Sequence, residues 1–159
     1  MSRPALFLDR DGVLNVDHGY VSKIDDFQPV EGVFDALRHA AARGYALIVV
    51  TNQSGIGRGY FSQHAYDMLE AHIRRLFAGE GIALTAIYHC PHAPEANCDC
   101  RKPQPGMILR AAREHDIDLA RSVMIGDKET DAQAGRAAGI PRIELVTPDR
   151  SIREIAGGL

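Results

Sequence analysis

Apolar residues in this chain gather into short runs of strand length, and between them lie stretches with helical spacing. ALFLD (5–9) is such a run, ended by charge and Gly12. VFDALRHAAARG (33–44) puts Val33, Phe34, Leu37 and Ala41 on one helical face, with Gly44 as a stop. ALIVV (46–50) is β-branched, as expected of a strand buried in a parallel sheet. Ser62 suits the N-cap of a helix whose Leu69, Ile73, Leu76 and Phe77 share a face. AIYHC (86–90) reads as a third strand, and Pro105 and Gly106 open a helix to about His115, with Pro105 in the first turn. SVMIG (122–126) is a fourth strand, a helix follows from about Thr130 to Ala138 and stops at Gly139, and RIELV (142–146) is a fifth strand. Ser151 and Glu154 have capping-box spacing for a short last helix. Strand and helix in alternation predict an α/β fold with a doubly wound, mainly parallel sheet.

Composition adds bounds. A length of 159 residues suits a single domain, 1–159, with a substantial core. A net charge of −3 offers no basic field to nucleic acid or to a membrane surface. No apolar run approaches the ~20 residues of a membrane span. MSRPALFLDRDG reaches charge too early for a secretory signal, and three cysteines are an odd number. A cytoplasmic monomer is expected.

In a doubly wound sheet the chemistry collects beyond the carboxyl ends of the strands. Those ends carry Asp9, Arg10 and Asp11; Thr51, Asn52 and Gln53; Arg101 and Lys102; and Asp127, Lys128, Glu129 and Asp131. Each alone could be a solvated loop residue or, near a helix start, a favourable acid. As a set they suit phosphoryl transfer. Asp9 and Asp127 can supply carboxylates to Mg²⁺, a hard cation that prefers oxygen. A carboxylate can also attack phosphorus and carry the phosphoryl group covalently. Asp11, two residues on, returns to the side of Asp9 in extended backbone and can serve as general acid and base. Thr51 and Lys102 can hold the phosphoryl oxygens.

CPHAPEANCDC (90–100) contains every cysteine of the chain. Cys90 with His92, and Cys98 with Cys100, are i, i+2 pairs that a turn through Pro94, Glu95 and Asn97 can fold together into a tetrahedral Cys₃His zinc site. A Cys98–Cys100 disulfide would close too tight a ring. Four protein ligands leave no open position, so the zinc is expected to be structural. His89 is the competing ligand, but alternation turns it away from Cys90. GIGRG (55–59) does not fit G-x-G-x-x-G, and a turn beside an anion site explains it without a dinucleotide. His39, His64, His72 and His115 fall on predicted helices, where packing or surface roles are expected.

LFLDRDGVLN, VVTNQSG, RKPQPGM and MIGDKETD resemble, in order and across nearly the whole chain, the four motifs of the haloacid dehalogenase-like phosphatases. The resemblance implies Asp9 as nucleophile, Asp11 as general acid/base, Thr51 and Lys102 as phosphoryl binders, and magnesium held by Asp9, Asp127 and the main-chain oxygen of Asp11. Asp131 resembles the supporting acid of the fourth motif. DRDGVLNVDHGYV and TNQSGIGRG are further similar to the heptose bisphosphate phosphatases of that family. That likeness implies Asp17, His18, Gly19, Tyr20, Asn52, Gln53 and Ser54 in the substrate pocket. It also implies Arg101 as a recognition residue, Lys128 as a substrate or metal-site contact, and the same four zinc ligands. A small phosphorylated sugar is then the partner, on the route to nucleotide-activated heptose. The short spacing between His92 and Cys98 is shared with histidinol-phosphate phosphatases, the alternative substrate class. The chain leaves no room for a large cap domain. Two non-enzymatic readings compete: a receiver domain would not be expected to pair its acceptor with Asp11, and a zinc interaction module explains only the cysteines.

Overall fold

The computed structural model describes residues 2–159. Five strands, β1 (Ala5–Leu8), β2 (Ala46–Asn52), β3 (Ala86–Cys90), β4 (Val123–Gly126) and β5 (Arg142–Leu145), form one sheet in the order β3-β2-β1-β4-β5. Every pairing is parallel, with Leu6 facing Leu47 on one side and Val123 on the other. β1 and β4 are buried along their whole length, and β2 is buried up to its last residue, as the apolar runs required.

Side-chain alternation sorts these strands onto two cores. Leu6, Leu8, Leu47, Val49, Val123 and Ile125 face one layer, made by α1 (Val33–Ala42), α3 (Gln63–Gly79) and α6 (Ile152–Gly157). Phe7, Ile48, Val50 and Met124 face the other, made by α4 (Gly106–His115) and α5 (Glu129–Ala138). The chain runs outward from β1 through β2 to β3, then returns to the far side of β1 for β4 and β5. Parallel crossovers keep one hand, so this reversal moves the helices to the opposite face. The crevice therefore opens between the ends of β1 and β4, where Asp9 and Asp127 emerge.

Helix ends follow the sequence closely. Ser62 Oγ caps α3 by accepting from Ala65 N–H at 3.0 Å. Ser151 Oγ accepts from Glu154 N–H at 3.2 Å, one half of the expected capping box. Gly139 ends α5 with φ +96°. Pro105 is the N-cap of α4, one position before the first turn that was expected.

One element departs from expectation. The glycines of GIGRG predict a turn, but Ser54–Gly57 form a single helical turn, α2. Packing explains both glycines: a Cβ on Gly55 would enter the Phe61 ring, and one on Gly57 would lie 2.7 Å from Pro91 O. Gly57 N–H also donates to Pro91 O at 2.8 Å, so α2 docks on the cysteine-bearing loop. No helix among the described residues is long and apolar enough to cross a membrane.

Candidate active site

Lys102 is the centre of the strand-end cluster. Its side chain is 3% exposed, and its ammonium donates to Asp9 Oδ1 at 2.9 Å and Val50 O at 2.8 Å and pairs with Asp131 Oδ1 at 2.7 Å. All three donors of the ammonium are thus used. Burial opposes its charge, but Asp9 and Asp131 outweigh burial and push its pKa up. The main chain at Lys102 is held as firmly. Asn52 Oδ1 accepts from Lys102 N–H at 3.0 Å, and Asn52 Nδ2 donates to Lys102 O at 3.1 Å. The end of β2 thereby fixes a residue fifty positions away.

Two carboxylates grip this cation, and a third, that of Asp127, adjoins them. Oxygens of Asp9, Asp127 and Asp131 lie within 4.8 Å of one another. Asp131, in the first turn of α5, accepts at Oδ2 from the N–H groups of Asp127 and Lys128, both at 3.1 Å. Burial raises the Asp9 pKa; Lys102 pulls it back, Asp131 and Asp127 push it further, and it stands at about 7. Burial and Asp131 likewise raise Asp127. Asp127 Oδ1 is buried without a hydrogen-bond partner. Gly12, at φ +91°, makes room for it, since a Cβ there would collide with the Asp127 carboxylate. Excess negative charge, all-oxygen donors and an orphaned buried carboxylate oxygen fit a hard divalent cation such as Mg²⁺.

Beyond β1, residues 10–15 fold into a tight loop in which Arg10 O accepts from Leu14 N–H at 2.8 Å and Gly12 N–H donates to Asn15 O at 2.8 Å. Asp11 stands on this loop and accepts from Arg10, Asn15 and Gln53. Thr51 is fully buried; its Oγ1 accepts from Gln53 Nε2 at 2.9 Å and donates to Asn52 O at 3.4 Å. The Gln53 amide therefore bridges Asp11 and Thr51.

A small cavity of about 50 Å³ is bounded by Asp9, Asp11, Lys102 and Asp131, and a cleft of about 440 Å³ lies against it. Asp17, Gly19, Tyr20, Asn52, Gln53, Ser54, Arg101 and Lys128 line the cleft, with Arg58 and Thr130 beside them. His18 is exposed and does not line it. Gly19 and Tyr20 both have positive φ, +81° and +48°, and the Tyr20 ring meets Tyr60 edge-on at 4.8 Å. Arg101 Nη1 is buried without a partner, a donor held ready at the cleft wall. Sequence reasoning did not assign roles to Arg10, Asn15, Gly12, Tyr60 or Thr130. A charge set between two acids in DRD is the signal that could have found Arg10.

On the far side of Lys102, Cys90, His92, Cys98 and Cys100 converge. Cys90 Sγ lies 3.4 Å from His92 Nδ1 and 3.5 Å from Cys98 Sγ, and His92 Nδ1 lies 3.3 Å from Cys100 Sγ. Zinc–thiolate bonds of ~2.3 Å at tetrahedral angles would put sulfurs roughly 3.7 Å apart, so the four atoms fit the corners of such a site. The cysteines are unbridged. Burial raises Cys90 and Cys100, whereas Cys98 is held down at about 6 because the Arg101 N–H and neighbouring side chains outweigh its burial. His89 is turned away, as alternation required, and stacks on Tyr66 with centroids 4.0 Å apart.

A parallel sheet that delivers this acid–lysine constellation to its switch point defines a hydrolase of the haloacid dehalogenase class. A family profile described as HAD-hydrolase-like matches residues 99–150, the Lys102 and Asp127 side of the site. The chain belongs to the family of D-glycero-beta-D-manno-heptose-1,7-bisphosphate 7-phosphatases. It is 52% identical over 137 residues to the Helicobacter pylori protein of that name, covering 86% of this chain and 79% of the relative. It is 49% identical over 156 residues to that of Photorhabdus laumondii, covering 94% and 83%. The solved D,D-heptose 1,7-bisphosphate phosphatase from B. bronchiseptica, complexed with magnesium and phosphate, superposes with a TM-score of 0.83. Its identity is 30%, and the match covers 98% of this chain and 97% of that one.

Proposed function

We propose that this protein is a magnesium-dependent phosphatase that removes the C7 phosphate of D-glycero-β-D-manno-heptose 1,7-bisphosphate through an aspartyl phosphate on Asp9. The observation that carries the reading is the Lys102 ammonium held between Asp9 and Asp131 at the foot of a cleft whose wall bears Arg58, Arg101 and Lys128. The names of the relatives supply the substrate.

An Asp9 oxygen attacks phosphorus as the bond to the sugar oxygen breaks, and Asp11 gives that leaving oxygen its proton. Asp11 then takes a proton from water as the water attacks the phosphoryl group, which frees Asp9. Lys102 and Thr51 hold phosphoryl oxygens, and preorganised donors are where most of such catalysis resides. Bound Mg²⁺, on Asp9, Asp127 and the main-chain oxygen of Asp11, would neutralise charge on the phosphoryl group and keep Asp9 ionised. The cations of the cleft wall suit the second phosphate, with Asp17 and the Gly19–Tyr20 turn facing the sugar. Cys90, His92, Cys98 and Cys100 would hold zinc, which would stiffen the loop that carries Arg101 and Lys102. Supply of nucleotide-activated heptose, for lipopolysaccharide core or a related glycan, is the consequent role.

Purified protein with magnesium should release one phosphate per bisphosphate, and phosphorus NMR of the product should retain the anomeric phosphate signal. Loss of the C1 phosphate instead would overturn the regiochemistry. No release from any ester would overturn the phosphatase reading.

A further inference from the structure

Arg10 has the bulkiest of the fully buried side chains, 2% exposed, and it sits between the two aspartates of the site. A buried guanidinium needs partners, and the Nε and Nη2 donors of this one meet a single carboxylate and a single carbonyl. Nε reaches Asp11 Oδ1 at 3.3 Å, Nη2 reaches Oδ1 at 3.0 Å and Oδ2 at 3.2 Å, and Nη2 also donates to Val21 O at 2.7 Å. Asn15 Nδ2 adds a bond to Asp11 Oδ1 at 3.0 Å, and Gln53 Nε2 one to Oδ2 at 3.0 Å. Oδ1 thus takes three contacts and Oδ2 two, so the carboxyl group is fixed in orientation from three side chains.

The Val21 contact extends this grip. Residues 17–27 form an excursion that exposes its first half and packs Val21 and Phe27 back into the core, closed at its base by Val16 N–H to Gln28 O at 2.8 Å and Val30 N–H to Leu14 O at 2.9 Å. Asp17, Gly19 and Tyr20 of that excursion line the cleft, and Val21 follows them directly. One guanidinium therefore ties the Asp11 carboxyl to the backbone of the cleft rim.

We propose that Arg10 is a positioning residue that aims the Asp11 carboxyl at the leaving oxygen and keeps it in register with the rim that seats the substrate. The inference rests on the acid role given to Asp11 above. Arg10 cannot itself supply the proton, because a guanidinium stays charged. Lysine would keep the charge and lose the fork, so it is not an equivalent replacement.

The experiment compares two esters by kcat/KM, which reports the steps up to release of the alcohol. 4-Nitrophenyl phosphate expels an anion that needs no proton; glycerol phosphate expels an alkoxide that does. Asp11→Asn, Arg10→Met and Arg10→Lys are measured on both. Loss of the acid should cost roughly 10²-fold or more on the alkyl ester and much less on the aryl ester. Arg10→Met should show the same bias, Arg10→Lys a smaller one, and Arg10→Met combined with Asp11→Asn should be no worse on the alkyl ester than Asp11→Asn alone. If Arg10→Met does not fold, Arg10→Lys is read alone. Equal losses on both esters beside a biased Asp11→Asn would mean Arg10 serves only stability and would overturn the inference. An unbiased Asp11→Asn would overturn the acid role, and this inference with it.

Discussion

Asp9 shows how a residue's environment sets its task. Asp9 is clustered with Asp127 and Asp131 and paired with the Lys102 ammonium, and its pKa rises from 3.8 to about 7, chiefly through burial. The sign of the consequence is fixed by linkage. A folded-state pKa above the unfolded one means the native protein binds the extra proton, so the stability tied to that proton is present at low pH. It is lost as pH climbs from about 4 through about 7. Magnesium-free protein should therefore lose stability from Asp9 across that window, and Asp9→Asn, which cannot titrate, should lose less. Urea midpoints at pH 5 and 8 for both proteins check this, with the zinc ligands common to both; identical pH profiles would contradict it. The same substitution should abolish turnover, because an amide is a poor nucleophile. Asp11→Asn should keep magnesium-dependent stabilisation while kcat falls by roughly 10²–10⁴-fold.

Among elements, the loop from Cys90 to Lys102 depends most on what surrounds it. It meets α2 through Pro91 and α4 through Gly106 N–H to Asp99 O at 3.1 Å, and β2 through the two Asn52 bonds. Stripping zinc should loosen residues 90–102, lower the melting temperature and weaken catalysis by releasing Lys102, since structural zinc contributes directly to folding. Metal content beside hydrogen exchange of those residues would test it; unchanged protection after complete zinc loss would sink the structural role. This loop also marks the limit of what the sequence reveals. The strands were legible because a buried parallel sheet demands continuous apolar runs, and the strand-end residues were legible as a set because such a sheet brings them to one edge. α2 was not, since SGIG has weak helix propensity and is held by contacts with Phe61 and Pro91. Nor were the partners of Asn52 and Arg10, because each joins segments whose meeting is decided by loop paths and not by local pattern.

At the scale of the whole molecule, a reversal of strand order beside β1 creates one crevice, and no large domain among the described residues covers it. Selectivity then falls to the loops around an open cleft. On the proposed mechanism, reaction at one phosphate would use Asp9, Lys102 and Thr51, which would leave Arg58, Arg101 and Lys128 of the cleft wall with no task in bond breaking. Arg101 already holds a buried Nη1 without a partner. A second phosphate would satisfy it, whereas the ammonium and imidazole of histidinol phosphate would gain little from that wall. Arg101→Ala should lower kcat/KM for the heptose bisphosphate by about 10–100-fold, in line with a lost charge-assisted hydrogen bond of roughly 1.5–3 kcal/mol. It should change turnover of a small monophosphate ester by no more than about threefold, since no second anion is there to lose. Specificity constants for heptose bisphosphate, histidinol phosphate and a simple monoester, on wild type and variant, decide the matter. Equal losses on all three would make Arg101 part of the common machinery, and a preference for histidinol phosphate would overturn the bisphosphate assignment while leaving the phosphatase chemistry intact.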